Sequence, residues 1–397
     1  MDSYRYVILG GGMVAGYAAQ EMAAHGLAPG DLAIVSSDSV PPYERPPLSK
    51  GLLRGDEDEA DVFINNETFY RDRGISLRLS TAVDRLDTDG RRLRLGDGSE
   101  IEFGQLVIAT GARVRTLDVP GAALEGVCYL RSLDDSKAIR ARAERGRRAV
   151  VLGGGFIGME VAAVLAQRGL DVTLVFPEER VWERFFTPEM SGFFERYYGG
   201  RGVALARQEH VARVVGDERV QAVELESGRS LQADLVVAGI GVVPVVDPLE
   251  GSGIALDDGV VVDEYLESSV PGIFAAGDVA NYRDLLFGTR RRLEHWDNAV
   301  EQGKHVGRAL LGERTPFVHV PYFFSDVFDL SYELWGAADG ADAVVTRGDV
   351  ASGSFGVWWS RGDRVVAAFL MDRPDEERDL APALISDSKP LPPSWRP

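Results

Sequence analysis

The chain has 397 residues, 45% of them hydrophobic, with one cysteine, five histidines and a formal net charge of −19. This length accommodates two or three domains with a sizeable core, and the acidic balance excludes nucleic acid as a partner, because phosphates demand a basic surface. The lone Cys128 excludes an intramolecular disulfide and any redox-active CxxC or CxxxxC pair, and the histidines lack metal-ligand spacing, so no metal site is expected.

Met1-Asp2-Ser3-Tyr4-Arg5 runs into the first strand with no apolar signal region, and no uncharged apolar run approaches membrane-spanning length. A cytoplasmic protein with no membrane contact is expected. Tyr6 to Leu9 reads as a short buried strand, followed by the turn Gly10-Gly11-Gly12-Met13-Val14-Ala15-Gly16, a helix from about Ala15 to His25, and a second strand at Leu32 to Ser36. Gly10 and Gly12, with Ala15 in the third position, match a dinucleotide-binding turn. There a strand bends sharply into a helix whose N-terminus meets a pyrophosphate, and no Cβ fits. Asp38 follows the second strand at an offset that suits hydrogen bonds to both hydroxyls of an adenosine ribose. The alternative is a solvated loop aspartate.

Pro41 to Pro47 reads as a rigid polyproline loop, either a simple connection or one that also carries function. Ile101 to Thr110 is an apolar, parallel-type strand closing on Ala109-Thr110-Gly111-Ala112. From about Asp118 the chain leaves the first domain and forms a helix at Leu133 to Glu144. A second βαβ unit then starts at Ala149, where Gly153, Gly155 and Gly158 fill all three GxGxxG positions. The two glycine turns lie 143 residues apart. Either alone is compatible with a tight turn that binds nothing. Together they predict two nucleotides bound at once, most simply a flavin and a nicotinamide. The second domain extends to Ala233 to Ile240 and Gly241.

Val270 to Asp278 is an apolar strand ending in Gly277-Asp278, read as a return to the first domain with an acid at the ligand-binding end of the sheet. From Val320 the pattern becomes aromatic-rich alternation, with Tyr322, Phe323, Phe324, Phe328, Tyr332 and Trp335, then Val357-Trp358-Trp359 and Val365 to Leu370 across Arg361-Gly362-Asp363. This predicts a small antiparallel sheet with helices, and the Pro-rich Lys389 to Pro397 an extended tail.

Four segments carry a family resemblance along almost the whole chain: Pro42-Tyr43-Glu44-Arg45-Pro46-Pro47-Leu48-Ser49-Lys50, Gly153 to Glu160, Ala275-Ala276-Gly277-Asp278-Val279-Ala280, and Glu294-His295-Trp296-Asp297-Asn298-Ala299. The chain resembles the FAD-dependent NAD(P)H oxidoreductases that include ferredoxin and rubredoxin reductases, monodehydroascorbate reductase and apoptosis-inducing factor. Val35 to Lys50 and Val175 through Pro188 look most like monodehydroascorbate reductase. The resemblance implies an α/β fold of two Rossmann-like dinucleotide-binding domains plus a small α+β C-terminal interface domain. FAD would occupy residues 1–117 and 244–319, NAD(P)H residues 118–243, and the interface domain residues 320–397.

The resemblance assigns Gly10, Gly12, Ala15, Asp38, Arg45, Lys50, Thr110, Gly111, Asp278, Glu294, His295, Trp296, Ala299 and Phe324 to the FAD side. It assigns Gly153, Gly155, Phe156, Ile157, Gly158, Glu160, Glu178, Gly239 and Gly241 to the nicotinamide side. Reduced flavin is anionic, so a fixed cation and helix-start dipoles suit it, and a partly dry Lys50 needs a counter-charge. A catalytic Lys50–Glu160 ion pair facing the nicotinamide is therefore expected. Without the resemblance, Lys50 reads as a surface ammonium and Glu160 as a first-turn carboxylate favoured by the helix dipole.

Glu178, after Phe176 and Pro177, resembles the ribose-binding carboxylate of NADH users, while Arg180 and Arg184 keep NADP(H) as the alternative. Phe324 suits either nicotinamide shielding or a core. Asp326 stands where monodehydroascorbate reductases carry a substrate-binding arginine, and matches ferredoxin reductases instead. Arg290-Arg291-Arg292 reads either as a dock for an anionic acceptor or an acidic electron-transfer protein, or as a solvated charge cluster.

The expected activity is hydride transfer from NADH to FAD, then single-electron transfer to a ferredoxin- or rubredoxin-like protein or a radical or quinone-like acceptor such as monodehydroascorbate. The chain would act as a monomer or homodimer. The alternatives are an NADH-sensing flavoprotein of the apoptosis-inducing-factor type, and an oxidase. No long insertion in the C-terminal domain resembles the former's regulatory segment, and Cys128 is wrongly placed for the redox cysteine of the latter.

Overall fold

The structure, a computed structural model, describes residues 1–395. It divides into two compact units: Met1–Arg45, Glu59–Arg113 and Val243–His319 form the first, and Pro46–Asp58, Val114–Val242 and the chain from Val320 onward form the second. This differs from the three-way division of the sequence reading in two respects. The C-terminal segment clusters with the second dinucleotide unit, and the short piece 46–58 belongs there too.

In the first unit, strand Asp2–Leu9 lies between the parallel strands Leu32–Val35 and Glu100–Ile108. Ser76–Arg78 extends one side, and Ile273–Ala275 pairs in parallel with Glu100–Ile108 on the other. All four residues of Leu32–Val35 are buried, as are Tyr6 to Leu9. Continuous apolar runs are what parallel strands covered on both faces require. The chain does return to this sheet after its excursion, and Ile273–Ala275 leads into a short 3-10 turn, Gly277–Val279. Helices Met13–Ala24 and Trp296–Leu310 pack together, with Arg308 paired to Glu21 at 2.6 Å.

The second unit contains a five-stranded parallel sheet in the order Val203–Arg207, Asp171–Phe176, Arg148–Leu152, Leu235–Ala238, Val127–Tyr129. Helix Phe156–Gln167 follows the second glycine turn. The chain from Val320 builds a five-stranded antiparallel sheet in the order Tyr322–Val327, Leu330–Gly336, Arg364–Met371, Ser354–Arg361, Ala343–Asp349, followed by helix Asp375–Ser386. Its aromatic residues explain why it clusters with the nucleotide fold: Tyr332 and Phe369 meet Phe186 and Phe194, with ring centroids 5.1 to 6.4 Å apart. Edge-to-face geometry dominates, which adds to the area buried by these large rings.

The expected extended tail is instead anchored. Leu391 is buried, Pro393–Trp395 forms a 3-10 turn, and the Trp395 ring sits 5.3 Å from Trp358 and 3.7 Å from the Arg347 guanidinium. Arg396 and Pro397 lie outside the described residues.

Glu377, buried in the last helix, is held below the usual carboxylate range by hydrogen bonds from Arg373 first and Arg347 second, against the opposing cost of burial. A depressed folded value gives stability that is present above the unfolded value of 4.5 and lost as pH falls through the lowered one. Glu377→Gln is therefore expected to flatten the acid limb of stability below about pH 5, read from denaturant midpoints against pH.

Candidate active site

In the first unit, strand Asp2–Leu9 reaches Gly10 at φ +123, and a Cβ there would lie 2.1 Å from the Ala109 carbonyl oxygen. Any side chain would break the turn. Gly12 caps the Met13–Ala24 helix, whose first amides are open to an anion, and Ala15 is fully buried beneath it. The Arg45 guanidinium lies 4.0 Å from the Cβ position of Gly12 and 3.9 Å from the Asp38 carboxylate. Thr110 donates to the Val245 carbonyl at 2.7 Å, which fixes the turn at Gly111.

The Gly277 amide donates to Gln302 Oε1 at 2.7 Å, beside the half-buried Asp278. Gln302 Nε2 and Asn298 Oδ1 are buried with no hydrogen-bond partner among the described residues. Buried polar atoms are nearly always paired, so these two are open to a bound molecule. Glycine cradle, cation, carboxylate and open amide groups together fit a dinucleotide.

His295 caps helix Trp296–Leu310 rather than lying within it, and Glu294 is outside the helix and exposed. Burial holds the His295 imidazole below its usual value, against the pull of Asp278 and Asp297, so it is neutral near pH 7. Trp296 donates through Nε1 to Glu44 at 2.5 Å, and Tyr17 donates to the same carboxylate. Ala299 is buried one turn on. Glu44 thus ties the Pro-rich loop to both helices, a role absent from the sequence reading although Glu44 stands inside the quoted motif.

In the second unit the cradle recurs. Gly153 has φ +109 with a Cβ position 2.2 Å from the Gly239 carbonyl oxygen, Gly155 is the helix cap, and a Cβ on Gly158 would meet the Gly153 carbonyl oxygen at 1.9 Å. Gly241, at φ +99, accepts from the Arg115 amide at 2.9 Å. Phe156 opens the helix among Trp182, Phe185 and Phe323, its ring 3.9 Å from that of Phe323, and Ile157 beside it is exposed. Glu178 is half-buried just past strand Asp171–Phe176. Arg180 is already paired with Glu183 at 2.9 Å.

One turn into the same helix stands Glu160, 3% exposed. Lys50 Nζ donates to its Oε1 at 2.6 Å, Ser325 Oγ to the same oxygen at 2.5 Å, and Ser49 Oγ to Oε2. Lys50 is itself largely covered and lies 5.7 Å from the Phe324 ring centroid. The loop that delivers Ser49 and Lys50 is held by Ser136, which donates to the Leu48 carbonyl at 2.8 Å, and by Arg140, which donates to that of Leu52 at 3.2 Å. Lys50 and Phe324 both lie in the unit that carries the second glycine turn. The surface-ammonium reading of Lys50 does not hold. The hydroxyls of Ser49 and Ser325 were not assigned from sequence, although both lie beside motif residues.

Of the two readings of Arg290-Arg291-Arg292, the structure favours the charge cluster over the dock, because each guanidinium has partners within its own unit. Arg290 donates to the carbonyls of Val262 and Asn281, Arg291 pairs with buried Asp284 at 3.1 Å, and Arg292 pairs with Asp258 and Glu294 at 3.2 and 2.5 Å. Cys128 is half-buried and its thiol is pushed up by burial, which disfavours the thiolate.

Fold and cradles define an oxidoreductase built to hold two nucleotides. Residues 4–303 match the family described as pyridine nucleotide-disulphide oxidoreductase, and residues 322–394 match the reductase C-terminal family. The chain belongs to the pyridine nucleotide-disulphide oxidoreductase family, which uses a flavin and a nicotinamide. It is 36% identical to the seedling isozyme of monodehydroascorbate reductase from Cucumis sativus, over 96% of this chain and 93% of that one. It is also 36% identical to rhodocoxin reductase from Rhodococcus erythropolis, over 98% and 90%. The ferredoxin reductase for the CYP199A2 system of Rhodopseudomonas palustris superposes with a TM-score of 0.93 at 34% identity, covering 99% of this chain and 96% of that one. With a single cysteine, this member has no cysteine pair for disulfide exchange. No helix of the described residues is long and apolar enough to cross a membrane.

Proposed function

We propose that the protein is an NADH-dependent reductase that holds FAD in its first unit and NADH in its second and hands electrons singly to a small electron-carrier protein. The observation that carries this reading is the largely covered Lys50–Glu160 pair one turn into the helix of the second cradle, 2.6 Å apart. A bound flavin would supply the conversion of a two-electron hydride donor into single electrons. The chain's own part is to orient and to exclude water. Gly153, Gly155 and Gly158 admit a pyrophosphate to the helix amides, Phe156 and Ile157 offer apolar surface, and Lys50 supplies a fixed positive charge in a covered site. In the first unit Arg45 and Asp38 would meet pyrophosphate and ribose, and neutral His295 adds no competing charge.

A protein carrier is favoured over an anionic radical by Asp326, an exposed carboxylate that accepts from Ser331 where an arginine would suit ascorbate. Two of the three named relatives, a rhodocoxin reductase and a ferredoxin reductase, support the same choice, while the monodehydroascorbate reductase at equal identity makes the radical the competing acceptor. The test is anaerobic titration of the flavin-loaded protein. One NADH is expected to bleach one flavin, and two equivalents of a one-electron ferredoxin-type carrier to restore it; a flavin that NADH leaves oxidised contradicts the reading.

Glu178 sets the nicotinamide preference in this account, since its carboxylate accepts from a ribose diol and repels a 2′-phosphate. Glu178→Ala is expected to lower kcat/KM for NADH about tenfold and raise that for NADPH, which narrows the preference from both sides. Unchanged ratios would locate the selectivity elsewhere.

A further inference from the structure

Two serines converge on one buried carboxylate, and neither belongs to the helix that carries it. Ser49, 2% exposed, ends the 3-10 turn Pro46–Ser49 and donates to Glu160 Oε2. Ser325, with no exposure, sits in strand Tyr322–Val327 and donates to Oε1 at 2.5 Å. Lys50 donates to that same oxygen at 2.6 Å. On the helix side, Tyr198 donates to the Met159 carbonyl at 3.1 Å and fixes the backbone one residue before Glu160.

An ammonium on a four-carbon stem is a point charge with little directional preference. A carboxylate held by that ammonium alone could rotate about its last torsion, which is broad and two-fold. Here three donors occupy both oxygens and leave it one orientation, with charge-assisted hydrogen bonds stronger than neutral ones. Ser49 Oγ also lies 3.4 Å from the Pro46 carbonyl, a longer contact than the one it makes to Glu160, so the carboxylate is the main partner of its hydroxyl.

We propose that Ser49 and Ser325 are positioning residues that clamp the Glu160 carboxylate and thereby fix the direction of the Lys50 ammonium. The functional consequence rests on the reading of Lys50–Glu160 as part of the nicotinamide site. The clamp itself does not.

The lysine content makes a direct test available, since Lys50, Lys137, Lys304 and Lys389 are the four lysines of the chain. Protein labelled with 13C at lysine Cε gives one side-chain signal for each, and Lys50→Ala identifies that of Lys50. Ser49→Ala and Ser325→Ala are each expected to move the Lys50 signal toward those of the more exposed Lys137 and Lys389, and Ser49→Thr, which keeps the hydroxyl, to return it. A Lys50 signal unmoved in both alanine variants overturns the clamp. In flavin-loaded protein, each alanine variant is expected to slow reduction by NADH about tenfold in an otherwise native chain and less than about twofold in a Glu160→Gln background, because the serines act through that carboxylate. A tenfold effect that persists in the Glu160→Gln background also overturns the proposal. If Glu160→Gln leaves reduction at the native rate while the serine variants still move the Lys50 signal, the clamp stands and the nicotinamide-site reading fails.

Discussion

Replacing Glu160 by alanine is expected to slow NADH-dependent flavin reduction by about a hundredfold while the flavin stays bound. The change leaves the covered Lys50 ammonium and two buried serine hydroxyls without their common acceptor. Breaking a buried pair by removing one partner costs roughly 3–5 kcal/mol, so the second unit should also unfold at lower denaturant. Glu160→Gln keeps the shape and two acceptor-capable contacts, so it should lose less stability than alanine while still losing rate. Stability and rate thus separate the structural from the electrostatic part of the role. Native rates in both variants would remove Glu160 from the reaction.

The second large effect concerns the two cradles. Gly153→Ala places a Cβ 2.2 Å from the Gly239 carbonyl oxygen at φ +109, and Gly10→Ala places one 2.1 Å from that of Ala109 at φ +123. Neither clash can be relieved by a side-chain movement, because the opposing atoms are backbone. Strain and displacement of the turn are expected to weaken NADH binding at least about a hundredfold in Gly153→Ala, with flavin content retained. Gly10→Ala is expected to yield colourless protein. Flavin fluorescence and NADH titration read the two separately; loss of both ligands in each variant would show that the glycine turns are not independent sites.

Much of this site is legible in the sequence because its local rules are strict. A strand-turn-helix that must receive a phosphate leaves glycine little substitute, so Gly10, Gly12, Gly153, Gly155 and Gly158 mark their own positions. The apolar runs at Tyr6 to Leu9 and Ala149 to Leu152 similarly announce parallel strands covered on both faces. Long-range partners leave no such signal. That Ser325 meets Glu160, 165 residues earlier, follows from how the Tyr322–Val327 strand packs, and a serine in an alternating strand looks like any other.

The arginine run shows where sequence leaves two readings open. Three adjacent basic residues suggest a surface for an acidic partner, yet Asp284, Asp258 and Glu294 neutralise two of them and backbone carbonyls take the third. Charge in one dimension does not reveal its counter-charge in three. The tail misled for a related reason, because proline-rich composition hides the anchoring that Leu391 and Trp395 provide.

Anaerobic stopped-flow mixing of the flavin-loaded protein with NADH tests whether one chain couples a nicotinamide site to a flavin site. Flavin bleaching is expected at a rate that saturates with NADH and falls about a hundredfold in Glu160→Ala. Protein that purifies without flavin and does not take it up, or flavin that NADH reduces no faster in the native chain than in Glu160→Ala, would contradict it.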